Sequence, residues 1–468
     1  MEPALTRQGG GMMEARVKTN PLLLFALGFV IGGVGLSIKI PFVILLFAGL
    51  IGIMVFFENP MVSLIATTFG YIFLPDLLVL MLLYGTFGLY LFRKFIKKDD
   101  PLVVASHEVI PYVYFLLMAI QTATSVYFMG SLRDLAIHTA GFMYLIFLIN
   151  EIKTEEQLHG IIVALVCAAT LLALVGIYQY VIGVDIKKEW VDTSSNSAIR
   201  ARAYSVFGNP NIFAEYLVMT IPLCVGLFWS TKRDSVRLFF LAMFVVQIAS
   251  LFMTMSRGGW LGLAVAAFVF ICLVRKELLL LAIPLLGAAV FVVPESIVNR
   301  FMTIFNFADS STSYRFKIWE ITEAIIHDHL MVGLGLGHLP FKMVFEQYIR
   351  TMPIYHAHNT FLQIFAEMGI VGFVLFFIFM VSIFVNLARY PLRSDNKYLK
   401  ITGAALCASF SGMLFHGMFE NIFYMTKITT TFWLLLAVSF ALVRITKKRL
   451  ALSEGEKRMD CYGKESII

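Results

Sequence analysis

Long apolar blocks broken by short polar or charged stretches run through almost the whole chain, at 22–37, 40–57, 61–74, 77–92, 110–127, 133–149, 160–182, 211–229, 236–254, 259–274, 277–293, 361–387, 400–418 and 425–443. Most are roughly 16–25 residues long, the length a helix needs to cross a hydrocarbon core of about 30 Å. Hydrocarbon offers no partner to an unpaired backbone N–H or C=O, so repeated crossings of this kind are helices and not open strands. The pattern predicts an all-α fold, a polytopic integral membrane bundle of about 12–14 transmembrane helices. The block 61–74 is the shortest and runs into Pro75-Asp76, so it is expected either to cross or to form a re-entrant feature.

The breaks divide the chain into N-terminal spans with an outer loop (1–210), central spans (211–293), an extracytoplasmic lid (294–360), C-terminal spans (361–443) and a cytoplasmic tail (444–468). The lid has a pattern of its own. In "SSTSYRFKIWEITEAIIHDHL" the Ser and Thr residues supply a helix start. Ile318, Ile321 and Ile325 then recur at spacings of three and four, which predicts an amphipathic helix lying on the bilayer surface or over a cavity. "GLGLGHLP" predicts a glycine-rich turn, and 341–349 a second short helix.

Composition fits a membrane class, with 59% hydrophobic and 14% charged residues, and charge orients the bundle. With the N-terminus (Arg7, Arg16, Lys18) inside and every block crossing, most basic residues fall in cytoplasmic segments. Among them are Arg93-Lys94, Lys97-Lys98, Lys232-Arg233, Arg275-Lys276 and the tail from Arg444, as the positive-inside bias demands. A multi-pass protein of the cytoplasmic (inner) membrane with both termini cytoplasmic is expected. The net charge of +7 is spread over these flanks with no basic module interleaved with aromatics, so no nucleic-acid partner is expected. The first 20 residues lack a small-residue cleavage site, which makes the first span a retained anchor. Cys167, Cys224, Cys272 and Cys407 sit in spans and Cys461 in the tail, leaving no outer disulfide and no metal-type cysteine pair.

Candidate chemistry collects at the outer boundary. In "YHAHNTFLQIFAEMGIVGFVLFF" His358 stands at the start of a span, and Phe365, Gly369 and Gly372 return within roughly 40° of its azimuth at about 100° per residue. Small residues on that face would let another helix approach, aiming the His358 ring into the bundle. His356 would be rotated from it by about 200°. Arg202 in "ARAYSVFGNPN", Arg257 in "MSRGG" and Arg315 at the start of the lid helix run against the positive-inside bias and call for an anionic partner. Several guanidinium groups around one pocket match a diphosphate in bidentate fashion.

"HNTFLQIFAEMGIVG", a His-Asn pair followed after nine residues by Gly-x-x-Gly, resembles the signature of the O-antigen ligases. "FGNPNIFAEYL", "MSRGGWLG" and "SSTSYRFKIWE…GLGLG" are similar to the other landmarks of the O-antigen ligase and polymerase superfamily, in the family's order. The resemblance implies a glycosyltransferase that takes a glycan from a polyprenyl (undecaprenyl) diphosphate carrier, within membrane lipid, and transfers it to an acceptor hydroxyl on a glycan or lipid-linked acceptor. It implies inversion, no metal and no cofactor. Carried over, His358 matches the essential histidine, Arg202, Arg257 and Arg315 match the outer-face arginines that bind the donor diphosphate, and Asn359, Gly369 and Gly372 are supporting. A neutral histidine, with an ordinary pKa near 6.5, suits a general base or a hydrogen-bond orienter of the attacking hydroxyl.

Alternatives stay open around this core. His338 either lines the pocket or lies on the lid surface. Glu215 and Glu420 either assist acceptor deprotonation or serve helix capping and packing. The paired histidines His327/His329 and His356/His358 lack accompanying cysteines or clustered carboxylates, so no metal site is expected. A polymerase of lipid-linked repeat units shares the ligase motifs. A solute transporter is disfavoured, because such proteins gather their polar sites near the midplane on interrupted helices.

Overall fold

The computed structural model describes residues 40–98, 101–102, 109–184, 201–280, 295–302, 310–352 and 354–465, and no strand is present among them. Helix α1 (Ile40–Glu58) belongs to a unit of its own. From Asn59 onward a second unit holds α2 (Pro60–Gly70), continued to Phe73 by a 3₁₀ turn, α3 (Asp76–Lys97), α4 (Val109–Ala123), α5 (Phe128–Glu151), α6 (Glu155–Ile182), α7 (Pro210–Ser230), α8 (Asp234–Met253) and α9 (Arg257–Val274). The lid helices α10 (Glu295–Met302), α11 (Ser310–Asp328) and α12 (His338–Tyr348) follow, then α13 (Thr360–Arg389), α14 (Lys397–His416) and α15 (Thr426–Glu465).

Nine of the described helices are long and apolar enough to cross a membrane, and shorter apolar helices lie at 49–58, 60–73 and 109–123. The protein is a polytopic helical membrane protein. These helices fall on the expected blocks, except that 22–37 and most of 277–293 lie outside the described residues. At about 1.5 Å per residue α2 reaches only about half the depth of the hydrocarbon core. The chain also stays helical from Thr426 through Glu465 with no break at 443, so the last span and the expected tail are one helix.

Short polar caps start the helices that matter for the site. Asn209 Oδ1 accepts from the Asn211 amide at 2.8 Å with Pro210 in the first helical position of α7. Ser256 Oγ accepts from the Gly259 amide at 3.4 Å in α9. Asn359 Oδ1 accepts from the Phe361 and Leu362 amides at 2.9 and 3.1 Å in α13. Helices α9 and α14 cross at Gly262 and Gly412, where a Cβ would come within 2.9 and 2.8 Å of the opposite glycine's carbonyl oxygen. Only glycine lets the two backbones touch there, and the contact sets the start of α9 beside the segment that follows α14.

The lid carries a small core of its own. Ile318 and Ile325 are fully buried, with Ile321 beside them, against Leu334, Phe341 and Phe345. Its glycine-rich turn pairs with α13 as a short strap: Leu334 N–H donates to Ala366 O at 2.9 Å, Gly335 N–H to Glu367 O at 3.0 Å, and Ile370 N–H to Leu330 O at 2.8 Å. The strap requires a break in the helix, supplied by Gly369 at φ 62°, ψ −168°, a backbone state that disfavours side chains. Gly369 therefore faces the carbonyls of Leu330 and Met331, and Gly372 faces Met368 of its own chain. The expected packing of a neighbouring helix on these glycines is replaced by a helix break that receives the lid.

Candidate active site

Four segments remote in sequence meet at the lid end of the bundle: the loop before α7, the turn before α9, residues 356–359 before α13, and the turn after α14. Thr360 ties the last two together. Its amide donates to Gly417 O at 2.7 Å, its hydroxyl donates to Glu420 O at 2.9 Å, and the same oxygen accepts from the Ile422 amide at 2.9 Å.

Glu420 is the centre of the cluster. Its buried carboxylate accepts from His358 Nδ1 at 3.0 Å on one oxygen and from Asn211 Nδ2 at 3.3 Å on the other. Burial alone would raise this carboxyl, but His358, His356 and Arg315 outweigh it and hold Glu420 well below the usual carboxylate range. A carboxylate accepts only, so Nδ1 of His358 carries a proton, and in the neutral ring Nε2 is the nitrogen that keeps a lone pair. The His358 side chain is 29% exposed, so that nitrogen belongs to a ring reachable from outside.

His358 precedes the helix. Its φ is 48°, and its amide donates to Nδ1 of His356 at 3.2 Å. That bond places the proton of a neutral His356 on Nε2. Burial first, then the neighbouring His358, lower the His356 pKa to about 3. The two rings stand 4.2 Å apart and His356 Nδ1 lies 3.7 Å from Glu420. The expectation that His356 points away from the pocket is thus corrected: helical azimuths do not apply to residues 356–358, because the chain enters α13 only at Thr360.

Arg202 is buried, donating from Nε to Thr254 O at 2.8 Å and from its terminal nitrogen to Asn211 Oδ1 at 3.0 Å. Burial, then Arg300, Arg315 and Arg257, lower its pKa to about 9, against the pull of Glu420. It stays a cation at neutral pH, and the four guanidinium groups are close enough to act on one another. The structure therefore brings together Arg202, Arg257 and Arg315 with His358 and Glu420. It adds Arg300, buried on α10 with Nε donating to Met255 O at 3.4 Å, and Asn211, which bridges Arg202 to Glu420. Sequence reading passed over Arg300 as one more basic residue of an outer loop. The signal available was its place on a short amphipathic helix.

The remaining candidates lie around this centre. Asn359 caps α13. His338 sits at the start of α12, its Nε2 accepting from Arg133 at 3.1 Å and its Nδ1 lying 3.5 Å from Asp134 on α5. It is buried, not on the lid surface, and is close enough to influence His356. Glu215 is fully buried in α7 within electrostatic reach of Glu420, with no hydrogen bond to either carboxylate oxygen. His356, His358 and Glu420 bring three potential ligand atoms within 4.8 Å of one another. Both Nδ1 atoms are engaged, one by the His358 amide and one by Glu420, but the expectation that no carboxylate accompanies this histidine pair is corrected: Glu420 does, brought in from 62 positions away by the fold.

Four guanidinium groups, a histidine and a buried carboxylate are thus gathered at three helix starts, α7, α9 and α13, whose dipoles favour negative charge. Residues 242–377 match the family described as O-antigen ligase. No curated protein matches the chain. The matched stretch includes Arg257, Arg300, Arg315 and His358, while Arg202, Asn211 and Glu420 reach the cluster from outside it. This match supports a place in the O-antigen ligase and polymerase superfamily for the stretch 242–377.

Proposed function

We propose that the protein is a metal-independent, inverting membrane glycosyltransferase of the O-antigen ligase type, acting at the extracytoplasmic face of the cytoplasmic membrane. Its donor is a glycan on a polyprenyl diphosphate and its acceptor a sugar hydroxyl. The observation that carries this reading is the His358–Glu420 pair, 3.0 Å apart with its proton on Nδ1, beside four arginines. Arg202, Arg257, Arg300 and Arg315 bind the diphosphate and stabilise the charge that builds on it. The acceptor hydroxyl attacks the anomeric carbon from the opposite face. The bond from that carbon to the phosphate oxygen breaks with its electron pair going to the diphosphate, and the hydroxyl proton passes to Nε2 of His358. Glu420 supports the imidazolium that forms.

The test is transfer from the host's own lipid-linked glycan by purified protein in lipid nanodiscs containing excess EDTA, together with analysis of the deletion strain. Product with inverted anomeric configuration, and long chains accumulating on the carrier in the deletion strain, are expected. Accumulation of single repeat units would replace the ligase reading with a polymerase. Activity lost to EDTA and restored by zinc would overturn metal independence and turn the histidine pair into ligands.

A further inference from the structure

Ala357 separates the two histidines and is fully buried, with both of its backbone groups held by side chains. Its amide donates to Oε1 of Gln363 at 2.7 Å, and its carbonyl accepts from the Trp319 indole nitrogen on lid helix α11 at 3.1 Å. Gln363 reaches this amide from the first turn of α13 with a definite orientation. Its Nε2 donates to Oε1 of Glu367, one turn further on, at 2.7 Å. The Ala357 amide can only donate, so it takes the oxygen of the Gln363 side chain and leaves Nε2 to be held by Glu367. The Gly337 backbone amide at the end of the glycine-rich turn also lies close enough to act on the Glu367 carboxyl. One carboxylate thereby joins the lid turn, the outer half of α13 and the segment carrying His356 and His358.

We propose that Glu367 and Gln363 are positioning residues for His358: Glu367 orients the Gln363 amide, which pins Ala357 and keeps His358 in its left-handed backbone conformation with Nδ1 on Glu420. Trp319 holds the other backbone group of Ala357 from the lid side, so the lid helix and the base are tied through one residue. The inference rests on the glycosyltransferase reading above. A residue at φ 48° outside glycine is held by its surroundings and not by its own preference. The groups that supply this hold are the two hydrogen bonds to Ala357 and the bond from the His358 amide to His356.

The experiment uses the full chain in nanodiscs, with undecaprenyl diphosphate as the binding probe, the host lipid-linked glycan for turnover, and diethyl pyrocarbonate modification of His358 followed by mass spectrometry. Glu367→Leu is expected to lower kcat at least 30-fold while Kd for undecaprenyl diphosphate moves less than threefold, and to change the modification rate of His358. Glu367→Gln keeps an acceptor for Gln363 and should retain activity within threefold. Gln363→Glu sets two carboxyls against each other, with Asp134 on α5 and Tyr114 on α4 the other titratable groups that act on Glu367. Its pH–rate profile should rise toward acid, where one of the pair is protonated. The exchange Gln363→Glu with Glu367→Gln restores both hydrogen bonds and should restore the wild-type profile. Trp319→Phe, which removes the indole donor and keeps an aromatic ring at the lid core, should lower kcat with folding intact.

Equal loss in Glu367→Leu and Glu367→Gln, or no recovery in the exchanged pair, would overturn the proposal. So would loss of probe binding in parallel with kcat. The His358 modification rate is read without any transfer reaction. A wild-type chain that transfers no glycan but still shows the expected pattern of modification rates would therefore sink the functional reading and leave the positioning intact.

Discussion

His358 and Glu420 lie 62 positions apart and meet at 3.0 Å, the imidazole donating from Nδ1 to a buried carboxylate. This contact sets the tautomer that leaves Nε2 of the neutral ring available, so under the proposed function both residues are expected to contribute to turnover in different ways. His358→Ala should abolish product, while Kd for undecaprenyl diphosphate stays within a few-fold, because the lost interaction is made in the transition state. Glu420→Gln keeps an acceptor for Nδ1 but removes the charge that supports the imidazolium, and kcat should fall by about 10²-fold or more. Steady-state kinetics beside probe binding distinguishes the cases. A Glu420→Gln protein with full activity would refute the dyad.

The arginines are expected to behave as binding groups. Arg257→Ala should weaken undecaprenyl diphosphate binding about 10- to 100-fold, the worth of a charge-assisted hydrogen bond, and lower turnover as well. Arg257→Lys should recover only part, since a point charge cannot replace the planar fork. Arg300→Ala should resemble Arg257→Ala. If Arg300→Ala leaves donor binding untouched, α10 lies outside the donor site.

His356 should not be silent. Its Nδ1 accepts the His358 amide at 3.2 Å and so helps hold the left-handed turn. His356→Ala is expected to lower kcat about tenfold or more, the loss of a buried hydrogen bond that positions a base, with donor binding retained. His356→Asn offers a smaller acceptor near the same place and should lose less. Wild-type kcat in the alanine variant would show that the turn holds itself.

Acid should loosen the lid. His356 is lowered from 6.5 to about 3 by burial and by His358, and Glu420 is held below its ordinary 4.5, so both bind fewer protons folded than unfolded. Their contribution to stability is complete above pH 6.5, declines toward pH 3 through His356, and declines further below pH 4.5 through Glu420. Hydrogen exchange of residues 354–363 should therefore speed up relative to the intrinsic rate as pH falls from 7.5 to 5 on the scale of about one titrating group. His356→Gln should flatten that response. Protection independent of pH over this range would contradict the buried neutral His356.

Topology is tested by fusions. A reporter active only outside the cytoplasm, joined after residue 330 between α11 and α12, should be active, whereas fusions after residues 235 and 395 should be inactive. An inactive fusion at 330 would put the arginine cluster on the cytoplasmic side and remove the donor assignment.

The membrane architecture was legible in the sequence because hydrocarbon dictates it locally: each apolar block must satisfy its own backbone and therefore becomes a helix, whatever its neighbours do. The buried Ile318 and Ile325 of the lid follow equally from a spacing of three and four within one helix. The family landmarks likewise pointed to His358, Arg202, Arg257 and Arg315. Glu420 at the centre, Arg300 among the cations, the Asn211 bridge and the turning of His356 toward the pocket were not legible. They depend on which helix ends meet, and contacts across 62 or 209 positions leave no periodicity in the chain. The break at Gly369 shows the same division. A glycine in an apolar run reads equally well as a packing contact, and only the strap at 330–335, seeking backbone partners from a distant segment, decides that the helix opens there.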